Sequence, residues 1–334
     1  MFNFEFDEKK SYIISQDTTL KFINSNKHKN ILYHNKIVNQ PAYENSLTRY
    51  IIEKKINKGG SSIVYQGIDS ITNEKIIIKE LQSANINKLN REINILDICR
   101  TIPNTIKLID FYKKDDMYYI IFPYIECPQS RTQFYNFNNN EIKIFMKTVL
   151  TTIKNIHNNG IIHRDIKPSN ILINSPKNIF IIDFGVSDFY LPFRKFSNKI
   201  GTKNFRSPEQ IVGVKGFDYK IDIWAIGIIF AEIIFHKFPF IKPEDDDKVI
   251  QHIAKLSGKS EFIKFLKKYN IELEKYSFID DIDNESIIYD LCKKCQRSIL
   301  NNPDTTDLLF KLINIDPNKR ISAEKALEHD FFNN

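Results

Sequence analysis

The chain has 334 residues, of which 42% are hydrophobic and 27% charged, a balance that excludes a mainly disordered polymer. Its net charge of +7 favours acidic partners without demanding a nucleic-acid binder, so no direct nucleic-acid contact is expected. Four cysteines are too few for a disulfide scaffold at this length, which points to a reducing compartment.

The first ten residues, MFNFEFDEKK, alternate Phe with acids and hold no apolar run of the kind a signal peptide needs. Residues 1–45 read as a polar N-terminal extension, partly ordered, rich in Asn and Lys and without a period. From Tyr50 the runs YIIEKKI, SIVYQGID and EKIIIKEL read as consecutive antiparallel strands separated by Gly- and Asn-bearing turns. Residues 86–98 switch to apolar spacings of three and four, a helix. Two further strands then flank a Lys-Lys-Asp-Asp turn at 113–116. After Cys127 the chain turns mainly helical, with helical spacing over 141–158, 222–235, 246–256 and 305–313, interrupted by a hairpin, NILI–NSPKN–IFIIDF. The most apolar stretch, Ile221 to Phe235, carries Asp222 and Glu232 and is too short for a bilayer, so no membrane partner is expected. A small sheet with one helix joined to a larger helical part predicts an α+β fold of two lobes with a cleft between them.

The chemistry concentrates at four places along this order. Ile56, Asn57, Lys58, Gly59, Gly60, Ser61, Ser62, Ile63 and Val64 form a strand–turn–strand whose small residues let backbone N–H groups approach phosphate. Alone, it reads equally well as an ordinary hairpin. Lys79 ends an apolar strand and needs a carboxylate if buried; Glu92, in the middle of the 86–98 helix, is the candidate, although two solvated surface charges read as well from the pair alone. The run HisArgAspIleLysProSerAsn spans 163–170, and Asp183-Phe184-Gly185 follows on the hairpin. Asp165 is placed to accept a hydroxyl proton, Lys167 to neutralise a transferring phosphate, and Asn170 and Asp183 to supply hard oxygen ligands of the kind Mg²⁺ takes.

These motifs, with SerProGlu at 207–209, AspIleTrpAlaIleGly at 222–227 and Arg320, resemble the eukaryotic protein kinases over residues 50–332. The resemblance implies a bilobal fold (N-lobe 50–126, C-lobe 127–332), ATP and Mg²⁺ as cofactors, and catalysis by Asp165 and Lys167. ATP would be bound along 56–64 and by Lys79 with Glu92, and metal by Asn170 and Asp183. It also implies an ion pair between Glu209 and Arg320, and a role for Asp222 in holding the catalytic loop through backbone N–H groups. Lys167 and Thr202 stand where the family marks Ser/Thr rather than Tyr specificity. No charged catalytic group is missing, so an active enzyme is expected rather than a silent scaffold of the same fold.

Finer strings narrow the resemblance. Ser62 followed by Ile63, Val64 and Tyr65, the 122–135 segment, GlyThrLysAsnPheArgSerProGlu at 201–209, and LysPheProPhe before an acidic run at 244–247 are similar to the cell division control protein 7 kinases. That family phosphorylates the MCM helicase at replication origins, which would place this chain in the nucleus with a regulatory activator subunit. Casein kinase II relatives share some of these features. The long insertions by which the replication kinases dock their subunit are not evident between Gly185 and Thr202. Asn57 and Ser62 replace two loop glycines, and bulky Ile77 and Phe122 (the expected gatekeeper) suggest a tight nucleotide pocket.

Between Val186 and Arg206 five cations stand against the single carboxylate Asp188. That stretch reads either as a solvated basic loop or as a surface recognising acidic or phosphorylated substrates. Thr202, Lys203 and Arg206 are the substrate-recognition candidates, with Lys203 and Arg206 expected as an exposed cation pair. Ser197, in the basic stretch ArgLysPheSerAsnLys, is the candidate phosphate acceptor, yet the resemblance favours a bound subunit fixing the Glu92 helix instead. Cys292 and Cys295 lack the further ligands of a zinc site and read as structural, and Trp224 reads as core.

Overall fold

The computed structural model describes residues 49–60, 62–82, 85–127, 133–191, 197–214, 216–242 and 245–333. The expected extension at 1–45, Ser61, Arg194, Lys195 and Glu244 lie outside the described residues.

Five strands form one antiparallel sheet: β1 (Tyr50–Lys58), β2 (Ser62–Asp69), β3 (Glu74–Leu81), β4 (Asp110–Lys114) and β5 (Met117–Pro123), in the order β1-β2-β3-β5-β4. Strand alternation decides which side chains meet the cleft. Ile76 and Ile78 of β3 pack with Tyr50, Tyr112 and Ile121 on one face. Ile77 turns to the other face, against the large core that includes Phe122. Ile77 and Phe122 are direct cross-strand partners, and Lys79 pairs with Val64 and Ile120. Helix α1 (Ile86–Cys99) lies between β3 and β4 in the chain; Asn85 caps it by accepting from the N–H of Asn87. It buries Leu89, Glu92, Ile93 and Leu96, so its inner stripe carries one carboxylate among apolar side chains.

The remainder is mainly helical. Helix α2 (Asn139–Asn158) begins in a reciprocal capping box between Asn138 and Glu141, and β6 (Ile161–Ile162) follows. The hairpin β7 (Ile171–Ser175) and β8 (Asn178–Ile181) stands where the sequence placed it, and β9 (Asp188–Phe189) pairs with β6. Next come α3 (Pro208–Ile211), α4 (Lys220–Phe235), α5 (Asp246–Ser257), α6 (Lys259–Lys268), α7 (Ile287–Lys294), α8 (Pro303–Leu312) and α9 (Ala323–Leu327). Helix α4 is buried all round from Ile221 to Phe235 and serves as the axle of this lobe. Trp224 sits in that core, with the Arg320 guanidinium 5.1 Å from its ring centroid. The Cys295 thiol faces the Ile234 carbonyl at 3.7 Å. Among the described residues no helix is long and apolar enough to cross a membrane. The α+β, two-lobe architecture is the one expected.

Candidate active site

The site assembles where β3, α1, the β6–β7 loop and the segment after β8 converge. Lys79 leaves β3 with its Nζ 2.8 Å from Glu92 Oε1 and 3.0 Å from Asp183 Oδ1. Burial would lower the Lys79 pKa, but the two carboxylates outweigh it and hold the ammonium above its ordinary value. For Asp183, burial pushes upward and Lys79 more than reverses it, so the carboxyl sits below its ordinary value. Asp183 takes a left-handed backbone, φ 63°, and keeps 47% of its side chain exposed to the cleft. A methyl group added at Gly185 would stand 3.2 to 3.4 Å from Lys79, Asp183 and Glu92 together, so a larger residue there would crowd all three charges.

The catalytic loop is held from beneath. Asp222, buried in α4, accepts the backbone N–H groups of His163 and Arg164 at 2.9 Å each, and its Oδ2 lies 2.9 Å from His157 Nε2. Burial would raise the Asp222 carboxyl, but the His157 bond and the His163 N–H hold it below its ordinary value. The role expected for Asp222 is thereby visible as two bonds. Above it, Asn170 Nδ2 donates to the Asp165 carbonyl at 2.8 Å and to Oδ2 at 3.1 Å. Lys167 Nζ is 2.7 Å from Asp165 Oδ2 and donates to Thr202 Oγ1 at 2.8 Å. The Phe184 ring packs edge-on to His163 at 5.0 Å, and His163 Nε2 reaches the Ile182 carbonyl at 3.1 Å, joining this loop to the Asp183 segment.

Gly201 is required where the substrate-facing segment meets the catalytic loop. Its φ is +92°, and a Cβ there would meet the Arg164 carbonyl oxygen at 2.6 Å. The next residue, Thr202, is bonded to both Asp165 and Lys167. Lys203 is exposed as expected. Arg206 corrects the expectation of an exposed pair: its side chain is 6% exposed, and Nη2 donates to Asp246 Oδ1 at 2.6 Å. The acidic first turn of α5 draws the guanidinium inward, and its buried Nε has no hydrogen-bond partner among the described residues.

At the other end, Ile56, Asn57 and Lys58 close β1 while Ser62, Ile63 and Val64 open β2, with Gly59 N–H donating to the Ser62 carbonyl at 2.8 Å across the turn. Gly60 has open space where a side chain would be. The Glu209–Arg320 pair implied by the resemblance is present, bidentate at 2.7 and 2.9 Å and wholly buried. In the single chain the Lys79–Glu92 pair is closed. Sequence reasoning passed over Arg91 and the role of Asp188, which joins Arg91 and Arg164. The signal lay in the positions of these arginines, one residue before Glu92 and one before Asp165.

A charged ammonium, a small-residue turn and two oxygen-bearing side chains fit a polyphosphate held with a divalent metal. Asn170 uses its amide nitrogen on Asp165, which leaves the amide oxygen as the atom offered to a metal beside Asp183. The family model for the protein kinase domain matches residues 50–332. A Dictyostelium discoideum protein named as a probable serine/threonine-protein kinase is 30% identical over 292 residues, covering 86% of this chain and 48% of its own length. The chain thus spans about half the length of that curated relative.

Proposed function

This chain belongs to the protein kinase domain family, whose members use ATP and a divalent metal, and from that premise we propose that it is an active protein serine/threonine kinase. The observation that carries the reading is the Asp165 carboxylate, oriented by Asn170 and Thr202 with the Lys167 ammonium 2.7 Å away. Asp165 accepts the proton of a substrate Ser or Thr hydroxyl as that oxygen attacks the terminal phosphoryl group of ATP; the bond to ADP breaks and ADP departs with its electron pair. Lys167 offsets the charge on the transferring group, and Lys79, fixed by Glu92, holds the remaining phosphates. Asn170 and Asp183 would hold Mg²⁺, which supplies charge neutralisation between the phosphates.

Phosphate transfer from labelled ATP to an acidic peptide panel tests this reading, with Lys79→Met as the control. Transfer by the natural chain and its loss in Lys79→Met is the expected result. A scaffold of the same fold would transfer nothing in either form.

The finer reading is a replication-initiation kinase of the cell division control protein 7 type, acting in the nucleus on MCM subunits at acidic or phosphorylated sites. The strings at 201–209 and 237–247 and the exposed Lys203 support it. In this reading a regulatory activator subunit accompanies the chain and acts on the helix that carries Glu92. The short stretch from Gly185 to Thr202 favours a second reading, a casein-kinase-II-like or unassigned Ser/Thr kinase. Co-purification separates them: recovery of MCM and a dedicated subunit supports the first, and recovery of neither supports the second.

A further inference from the structure

We infer that Asp188 serves as a built-in substitute for an activating phosphate, clamping the Glu92 helix to the catalytic loop so that activation-segment phosphorylation is not required. The inference rests on the kinase reading above and concerns regulation of the same site.

One carboxylate oxygen makes the connection. Asp188 Oδ2 lies 3.2 Å from Arg91 Nη1 on α1 and 3.2 Å from Arg164 Nη2 in the catalytic loop. Arg91 immediately precedes Glu92, which fixes Lys79; Arg164 immediately precedes Asp165, the proton acceptor. Asp188 itself follows Asp183 by five residues and begins β9, whose partner strand β6 leads into the same loop. A displacement of Asp188 would therefore reach the ammonium, the metal ligand and the base together.

The surroundings make the clamp stiff. Asp188 is 2% exposed and the Arg164 side chain 2%, while Arg91 retains 21%. Asp188 Oδ1 accepts the N–H of Phe189 at 2.9 Å, and Arg164 Nε donates to the Val186 carbonyl at 2.6 Å. Ser187, between them, donates its hydroxyl to the His163 carbonyl at 3.0 Å. Two guanidiniums brought together in so little solvent repel each other unless an anion lies between them. In phosphorylation-dependent switches that anion is a phosphate, added to order a loop against an arginine cluster. Here a carboxylate encoded in the chain already occupies the meeting point, on the first strand after Asp183-Phe184-Gly185.

The test uses the full chain, treated with a broad Ser/Thr phosphatase and shown by mass spectrometry to carry no phosphate over 186–206. Its kcat and KM on an acidic peptide are compared before and after treatment, then with Asp188→Asn, Arg91→Gln and the double variant. The dephosphorylated natural chain should keep its kcat within about twofold. Each single variant should lower kcat by about ten- to hundredfold, the scale of a small misplacement of catalytic groups, with the peptide KM little changed. The double variant should be no worse than the more impaired single one, because both changes break the same contact. Loss of activity on dephosphorylation overturns the clamp while leaving the kinase reading intact, and so do single-variant effects that multiply. If Asp188→Asn fails to fold, Arg91→Gln decides alone, since its side chain is partly exposed; natural kcat in that variant overturns the proposal. Inactivity of the natural chain in both phosphorylated and dephosphorylated forms overturns the kinase reading and the clamp with it.

Discussion

Thr202 donates to a single oxygen of Asp165 twice, from its backbone N–H at 2.9 Å and from its hydroxyl at 2.8 Å, both to Oδ1. The other oxygen, Oδ2, faces Lys167 and Asn170. The carboxylate is thus held on both sides, and the chain from Gly201 onward takes part in aiming the base. Ordering of the substrate-facing segment and alignment of the catalytic group become one event.

That coupling predicts a graded series. Asp165→Asn should leave ATP binding nearly intact and lower kcat by about a thousandfold or more, because proton acceptance is lost. Thr202→Val removes only the hydroxyl contacts with Asp165 and Lys167 and should lower kcat by about ten- to hundredfold. Thr202→Ser keeps the hydroxyl and should stay within a few-fold of the natural chain. Steady-state kinetics with nucleotide titration reads all three, and a Thr202→Val kcat equal to the natural one would show that the bond does not aim the base.

Glu232 gives the fold a pH dependence of unusual sign. It is buried in α4, accepts the Phe240 N–H at 3.2 Å and the Tyr135 hydroxyl at 3.4 Å, and burial pushes its pKa up to about 7 from 4.5. A raised folded-state pKa means the folded protein binds this proton more tightly than the unfolded chain does. The stabilisation is fully present below about 4.5 and is lost as pH rises through about 7. Glu232→Gln keeps the acceptor and removes the charge, so it should be more stable than the natural chain at pH 8, by roughly 2–4 kcal/mol. The advantage should shrink to near zero toward pH 5. Melting curves of both proteins from pH 5 to 8 check this, and parallel curves would refute it.

The Glu209–Arg320 pair predicts a loss that hydrophobic replacement does not repair. Glu209→Gln leaves a buried guanidinium without its counter-charge and should cost about 3–5 kcal/mol in denaturant unfolding. Many buried pairs can be exchanged for apolar residues at no net loss. This one differs, because Arg320 also donates to the carbonyls of Asn314 and Lys220 at 2.9 and 2.8 Å. Both carbonyls would lose a buried charged donor, so Glu209→Leu with Arg320→Met should recover less than half of the loss. Full recovery would mean the carbonyls find other partners.

What could be read from the chain and what could not divides along sequence distance. Alternation in EKIIIKEL faces Lys79 and Ile77 alike away from Ile76 and Ile78, and helical spacing in 86–98 puts Glu92 on the buried stripe. Their meeting follows almost directly. Helices α6 and α7 escaped, because their apolar stripes are short and packing rather than propensity sustains them: Phe262, Phe265 and Leu266 in one, Ile288 in the other. The direction of Arg206 depends on where Asp246, forty residues on, begins a helix. Asp188 read as the lone acid of a basic segment, and only the fold brings Arg91 to it across 97 residues.

Lys203 and Arg206 should now separate by function. Lys203 is exposed beside Thr202, whereas Arg206 is tied down to Asp246. Lys203→Ala should reduce the preference for Asp, Glu or phosphoserine just after the phosphorylated residue by several-fold in kcat/KM. That is about 1 kcal/mol, the scale of a solvent-open charge contact. The same preference in the natural chain should weaken with salt, as screened charges do. Arg206→Ala acts differently: it frees the segment from α5, so it should depress all peptides alike and leave the salt dependence unchanged. Asp246→Asn should reproduce that pattern, since it weakens the same bond from the other end. A peptide panel varied at one position, assayed at two salt concentrations, decides between these roles. Loss of acidic selectivity in Arg206→Ala would show that the guanidinium reaches substrate after all, at the expense of its bond to Asp246.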